Sequence, residues 1–475
     1  MSNSATTSSM QSMSSVGGKA EGDISTIFAS LSGATHDALP QRFADLKKAI
    51  AGTSPESHQK LTESWVDLLA ALQLGLQEIQ LKGPSIVPEV SFKELTESGE
   101  GANWTKEVAK RGVVVVRDVV PDEEALAWKQ QVRDYIEANP QDKQVFEIYW
   151  SKSQAQARSH PNVLGAQKAL MSKLFHADPS APVSLKSPVS YADRLRIRKP
   201  GDAKFALGPH IDGGSLERWE DGRYRNCYRE ILSGNWREHD AFDVGRRLGV
   251  NSDMYNGPNQ CSVFRAFQGW LALSSTGPSE GTLRVFPLLK EASAYVLLRP
   301  FFKPTLPPTD PNYLSAHSWA IDVESTNFPN SFMAGAQELN DLTHPHLRLD
   351  DGGIVSVKKV EPGDMVYWHC DTIHAVEGIH RGEGDSSVFY IPASPLTAKT
   401  AEYIKRQKDV FLRGVPPPDF PGGVGENGFQ DVGTSSDILT AEGREAFGFA
   451  PFSFKDGMSQ GEGAVLKEAN KILGF

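Results

Sequence analysis

A chain of 475 residues with 39% hydrophobic content can bury a sizeable core, and a prior of roughly 150 residues per domain allows two or three units. The net charge of -10 and the lack of a long basic run argue against a nucleic-acid binder, and no uninterrupted stretch of about 18 apolar residues offers a membrane span. Cys227, Cys261 and Cys370 are widely spaced and form no CxxC pair, which fits reduced thiols better than a disulfide framework.

Residues 1–22 are rich in Ser, Thr and Gly and read as a disordered tail. They hold neither the apolar core of a secretory signal nor the Arg of a transit peptide, so the cytoplasmic compartment is the default expectation. Residues 23–94 read as a helical N-terminal region. Ile27, Phe28 and Leu31 recur at helical spacing, as do Phe43, Leu46 and Ile50. After Ser54-Pro55, the series Leu61, Trp65, Leu68, Leu69 and Leu72 marks the clearest amphipathic helix, and Pro84 and Pro88 end it. Its expected role is packing.

Residues 95–400 carry the strand signals. The β-branched run 113–116 predicts a buried strand, followed by a helix over 122–138. In the alternating segment 191–200, Arg194, Arg196 and Arg198 share one face and Leu195 and Ile197 the other. That face is either a wet surface or a basic wall inside a cavity. Residues 215–250 look like an irregular helical insertion. Long insertions often serve as lids, so Trp219 or Trp236 is expected to border a substrate pocket. Strand character returns at 263–273, 282–286, 354–360, 364–367 and 387–391, with a proline-rich excursion at 300–311. Residues 401–475 form a helical and loop-rich C-terminal extension. Many short strands around distant histidines predict a mainly β fold with helical additions, built on a double-stranded β-helix, the jelly-roll architecture of cupins.

Two segments carry the chemistry. The first is Gly208-Pro209-His210-Ile211-Asp212-Gly213-Gly214, and the second runs from Gly363-Asp364 to His374. Residues two apart on a strand share a face, so His210 and Asp212 can point the same way. With His374 they make the 2-His-1-carboxylate set of a non-haem Fe(II) site, which leaves coordination positions open for substrate and dioxygen. A second HxD, His369-Cys370-Asp371, lies inside the distal segment. A site built only from His369, Asp371 and His374 would leave His210 and Asp212 unexplained, so the split site is preferred and the second pair is read as orienting groups. His176, His239, His317 and His380 have no comparable context and are expected at the surface.

Residues 112–138 resemble the opening strand and helix of phytanoyl-CoA-hydroxylase-like dioxygenases, and 208–214 resemble their HxD segment. Residues 270–274 with 280–287 are similar to their central strand pair, and 363–374 to their distal histidine segment. With Trp368-His369-Cys370-Asp371 and residues 386–392, the region 95–400 resembles the YbiU-like family more closely. The resemblance implies Fe(II) as cofactor and 2-oxoglutarate and dioxygen as cosubstrates, with hydroxylation of a small organic molecule. It supplies no substrate.

Enzymes of the broader superfamily commonly anchor 2-oxoglutarate with an Arg about ten residues beyond the distal His, because a buried carboxylate needs a fixed cation. Here residues 384–387 hold no Arg, and Arg381 lies in an apparent loop. Arg284 and Arg265 are the replacement candidates, with Arg196 and Arg198 behind them. If the face of Thr282, Arg284 and Phe286 lines the barrel, Arg284 can meet the dicarboxylate with Thr282 adding a hydroxyl. The competing readings are a metal cupin (an isomerase or a 2-oxoglutarate-independent dioxygenase) and a non-catalytic jelly-roll binding protein.

Overall fold

The computed structural model describes residues 19, 22, 24–33, 37–99, 101–140, 145–203 and 206–475. Most of the tail expected over 1–22 lies outside the described residues. Two sheets organise the molecule. In chain order their strands are β1 (Glu89–Ser91), β2 (Val113–Arg117), β3 (Val145–Phe146), β4 (Leu195–Arg198), β5 (His210–Ile211) and β6 (Phe267–Ala272). There follow β7 (Leu283–Val285), β8 (Gln337–Glu338), β9 (Val355–Ser356), β10 (Met365–His369), β11 (His374–Val376) and β12 (Ser386–Tyr390).

The larger sheet has seven strands in the order β1-β2-β10-β6-β12-β4-β3, and the smaller has five in the order β8-β5-β11-β7-β9. All pairs within them are antiparallel except β1 with β2. Residues 300–311, expected as a proline-rich excursion, contribute Phe302–Pro304 to a separate hairpin-like pair with Trp319–Ile321.

The expectation of a mainly β fold does not hold. Far more of the described residues lie in α-helices than in strands, and the architecture is mixed α/β with several sheets and, among the described residues, no closed barrel. The reason is that several strands are only two or three residues long, while helices fill the connections between them. The 354–360 signal, for example, shrinks to Val355–Ser356.

The helices follow local rules. Asp122–Ala138 begins after Pro121 with Asp122, Glu123 and Glu124 in its first turn, where acidic groups complement the helix dipole. Its buried residues Ala125, Trp128, Val132 and Tyr135 fall at intervals of three and four, one stripe facing the core. Pro55–Lys82 is capped by the Ser54 hydroxyl, which accepts from the Ser57 N–H. Its Trp65 is fully buried and stacks on Phe302 at 4.5 Å and on Tyr295 at 5.4 Å between ring centroids. The N-terminal helical region therefore belongs to the same apolar core as β6, β7 and β10. No helix among the described residues is long and apolar enough to cross a membrane.

Candidate metal centre

His210 on β5 and His374 on β11 are direct cross-strand partners, so their side chains leave the same face of the smaller sheet. Their ring centroids lie 4.1 Å apart. Asp212, one residue past the end of β5, brings its carboxylate to 3.5 Å from His210 Nε2 and 4.0 Å from His374 Nε2. One ligand atom from each residue can be chosen so that all three lie within 4.8 Å of one another.

The tautomers are set from outside. His210 Nδ1–H donates to the Gly208 carbonyl at 2.7 Å, and His374 Nδ1–H donates to the Thr372 carbonyl at 3.0 Å. Both Nε2 lone pairs are thereby left facing the carboxylate, the outer hydrogen bonding expected of metal-binding imidazoles. Burial, reinforced by the neighbouring His210, pushes His374 down to about 3, so it is neutral at ordinary pH. Burial opposes a charge on Asp212, yet the pull of His210 and His374 when either carries a proton on Nε2, and of Arg265 throughout, holds its carboxyl well below the usual carboxylate range. Two imidazole Nε2 atoms beside one ionised carboxylate are the donor set that a divalent transition metal takes.

The backbone carrying Asp212 is a built turn. Gly213 and Gly214 have φ of 82° and 87°, the left-handed region that glycine tolerates, and a Cβ on Gly214 would stand 2.5 Å from the Ser252 carbonyl oxygen. Arg218, fully buried, donates to the carbonyls of Asp212 and Gly214, both at 2.6 Å, and the Tyr224 hydroxyl donates to the Gly213 carbonyl at 3.0 Å. Both residues come from the 215–250 insertion, which therefore positions the ligand turn. Trp219 and Trp236 do not border the site as expected. They are buried in the core, with indole N–H groups donating to the Leu297 carbonyl and the Asp67 carboxylate.

A cavity of about 160 Å³ extends from the triad between the two sheets. Alternation decides its lining. On β4, Arg194 at the strand edge, Arg196 and Arg198 face the cavity, while on β6 the facing residues are Gln268, Trp270 and Ala272. On β12 they are Ser386, Val388 and Tyr390. The basic-wall reading of the arginine strand is the one the structure bears out. Arg198 is committed to holding loops, donating to Asp202 and to the carbonyls of Glu377 and Gly378. Arg194 donates to Asp193 and Asn259. Arg196 is buried and is the cross-strand partner of Val388.

Arg284 does not line this cavity. It pairs with Ala375, one residue on from His374 and so on the opposite face, and its guanidinium donates to the Ile354 carbonyl at 3.4 Å. Thr282 lies before β7, outside the strand's alternation, and both it and Leu283 face the cavity. Arg265 does line the cavity, 3.6 Å from Asp212 and 3.7 Å from Asp193, with its guanidinium over the Tyr191 ring. Among the polar atoms of the lining, Thr282 Oγ1, Gln260 Oε1 and Trp368 Nε1 are buried without a hydrogen-bond partner among the described residues.

The N-terminal segment also reaches the site. Ile27 and Phe28 line the cavity, and the Phe28 ring meets His210 edge-on at 5.0 Å. The Ile27 carbonyl accepts from Ala336 N–H, and Lys19 Nζ is tied to Asp253 at 2.6 Å and to the Gly257 carbonyl. No local signal marks these residues in the sequence. His239 and His380, expected at the surface, are buried as well. His380 Nε2–H donates to the Gly384 carbonyl and its Nδ1 accepts from the Gly382 N–H, so both ring nitrogens are satisfied inside.

Comparison with known proteins places the chain in a family. The uncharacterised protein YbiU of Escherichia coli K12 is 30% identical over 410 residues, covering 82% of this chain and 92% of that one. The crystal structure of GlcNAc inducible gene 2 product from Candida albicans superposes with a TM-score of 0.84 at 31% identity, covering 93% of this chain and 96% of the other. A structure from Salmonella typhimurium LT2 matches with a TM-score of 0.71 at 28% identity, covering 87% and 99%. Residues 37–449 match the Gig2-like family, and this chain belongs to it.

Proposed function

We propose that the chain is a non-haem Fe(II)- and 2-oxoglutarate-dependent oxygenase that hydroxylates a small organic molecule. The observation that carries the reading is the cross-strand pair His210–His374 with both Nε2 atoms turned toward the Asp212 carboxylate. These three residues would hold the iron, which when bound supplies the activation of dioxygen. Arg265 stays 3.6 Å from Asp212, beside the same carboxylate oxygen that lies 4.0 Å from His374 Nε2, offsetting its charge and keeping the carboxylate in place. Arg196, with the unpartnered Thr282 hydroxyl in the same cavity, suits the far carboxylate of 2-oxoglutarate. Its cross-strand neighbour Val388 stands on β12, the strand that follows the distal histidine, so a cation on β4 can serve where an Arg on β12 is lacking. The Salmonella relative is named, provisionally, an oxidoreductase, which agrees with this class.

The experiment is anaerobic loading with Fe(II), followed by 2-oxoglutarate and air. The expected outcome is succinate formed in step with oxygen uptake, abolished in Asp212→Ala. Arg196→Gln should raise the concentration of 2-oxoglutarate needed for half-maximal succinate by about 30-fold or more while leaving iron binding intact, because it leaves a buried carboxylate unpaired. Oxygen uptake that ignores 2-oxoglutarate would favour a cosubstrate-free metal cupin. A protein that takes up no metal would favour a binding module.

A further inference from the structure

A second cavity, of about 240 Å³, opens on the other side of Asp212. It shares Asp212, Gly213, Cys261, Arg265 and Gln268 with the arginine-lined cavity, so the two meet along one wall at the carboxylate ligand. Their chemistry differs. His210, His374 and the arginines of β4 line only the first, whereas the second is walled mainly by apolar groups such as Leu248, Val250, Val263 and Phe264.

Three cations touch this second space. Arg247 is engaged with Asp371, and Arg265 stands between Asp212 and Asp193. Lys399 is different. Its Nζ donates to the Val250 carbonyl at 3.0 Å and has no ion pair among the described residues. Burial pushes its pKa below the usual lysine value, the mark of an ammonium whose lost hydration is incompletely replaced. The ammonium has one carbonyl as its direct partner, while the carboxylates of Asp419, Asp253 and Asp221 act on it only at longer range, so an anion that enters beside it gains a charge-assisted hydrogen bond.

We infer that this second cavity receives the primary substrate, and that the substrate is a small amphipathic carboxylate whose apolar body lies against Val263 and Phe264 and whose anionic end meets Lys399. The assignment of substrate to this side and 2-oxoglutarate to the other rests on the oxygenase reading; the ligand class rests on the cavity itself. The wall shared by the two cavities carries Asp212, so such a ligand lies next to the carboxylate of the metal centre. A dicarboxylate such as 2-oxoglutarate is poorly suited to the second cavity, which would leave one of its two charges against hydrocarbon.

The test is calorimetric titration of the full chain with octanoate and 3-phenylpropanoate, and with octan-1-ol as the neutral counterpart. The carboxylates should bind saturably and octan-1-ol at least about tenfold more weakly, the increment of one charge-assisted hydrogen bond. Lys399→Gln should remove that difference by weakening only the carboxylates, and Lys399→Arg should restore most of it. Saturating 2-oxoglutarate should leave carboxylate binding in place. Absence of binding by both carboxylates, unchanged affinity in Lys399→Gln, or displacement by 2-oxoglutarate would each overturn the inference. Succinate formation measured on the same preparation separates the two ideas. Carboxylate binding without succinate would retire the oxygenase reading and keep the ligand class, and succinate without carboxylate binding would do the reverse.

Discussion

The chain writes the same three-residue motif twice and uses it in two ways. His210-Ile211-Asp212 and His369-Cys370-Asp371 both place an imidazole and a carboxylate two residues apart, and both could satisfy the distance test for a metal. At the first, the Asp212 side chain is 30% exposed and faces two imidazole Nε2 atoms, whereas the Asp371 side chain is 4% exposed and closed off. Asp371 accepts from the Tyr228 hydroxyl at 2.7 Å and is gripped by the Arg247 guanidinium. His369 is packed on Phe175 at 5.5 Å between ring centroids and bonded through Nε2–H to the Ala241 carbonyl. A guanidinium on the carboxylate does for the second motif what an ion would do for the first. The neighbour, a second histidine or an arginine, decides whether an HxD is left able to take a metal or is closed as a structural clamp.

Exchanging those neighbours gives the sharpest tests. The largest effect should come from His374→Ala or His210→Ala, which remove a ligand. Iron affinity should fall by more than about a hundredfold, beyond what loss of an outer partner produces, with all iron-dependent turnover gone and thermal unfolding little changed. Titration with Fe(II) under argon, alongside calorimetric melting, reads both. Should His369→Ala strip iron while His210→Ala retains it, the roles assigned to the two motifs are reversed.

Next in size, Arg247→Met should destabilise the fold by about 3 to 5 kcal/mol, because it leaves Asp371 buried without its cation. Iron affinity should stay near the parent value. The double variant Arg247→Met, Asp371→Leu should recover most of the loss in a denaturant titration. A drop in iron affinity that matches the drop in stability would instead mean that the clamp and the metal site are one unit.

The smallest effect is a pH dependence. Burial, the leading cause, pushes His369 down to about 4 from an ordinary value near 6.5, so it is neutral in the fold and takes up a proton on unfolding between those values. Its contribution is full above about pH 6.5 and is lost progressively as pH falls toward 4. His369→Gln should therefore show a shallower loss of melting temperature between pH 6.5 and 4 than the parent chain. Parallel curves would place the acid sensitivity on the other buried and lowered histidines, His239, His344, His346 and His374 among them.

What the sequence disclosed follows the range over which its signals act. Residues 113–116, 122–138 and the Arg194–Arg196–Arg198 alternation are local patterns, and the corresponding strand, helix and cavity wall are where they predict. The triad was legible because a glycine-bracketed HxD and a distant histidine are rare together. Arg284 was misjudged for a reason of parity. Counting alternation from Thr282 ignores that Thr282 precedes the strand, with its N–H and that of Gly281 bonded to Glu377, so the face containing Leu283 and Val285 is the inner one. The mainly β expectation failed because strand signals overrun the paired residues. The roles of Arg218, Tyr224, Arg247 and Phe28 depend on contacts across long stretches of chain, and nothing in their immediate neighbours announces them.

Phe28 carries a consequence of its own. Its ring is seated against His210, and the segment bearing it is moored by Lys19 and by the Ile27–Ala336 hydrogen bond. If that contact has to open before a bound ion can leave, residence time and affinity become separate properties: a chelator strong enough to win at equilibrium would still be slow to empty the site, and Phe28, far from the ligands in sequence, would set the clock.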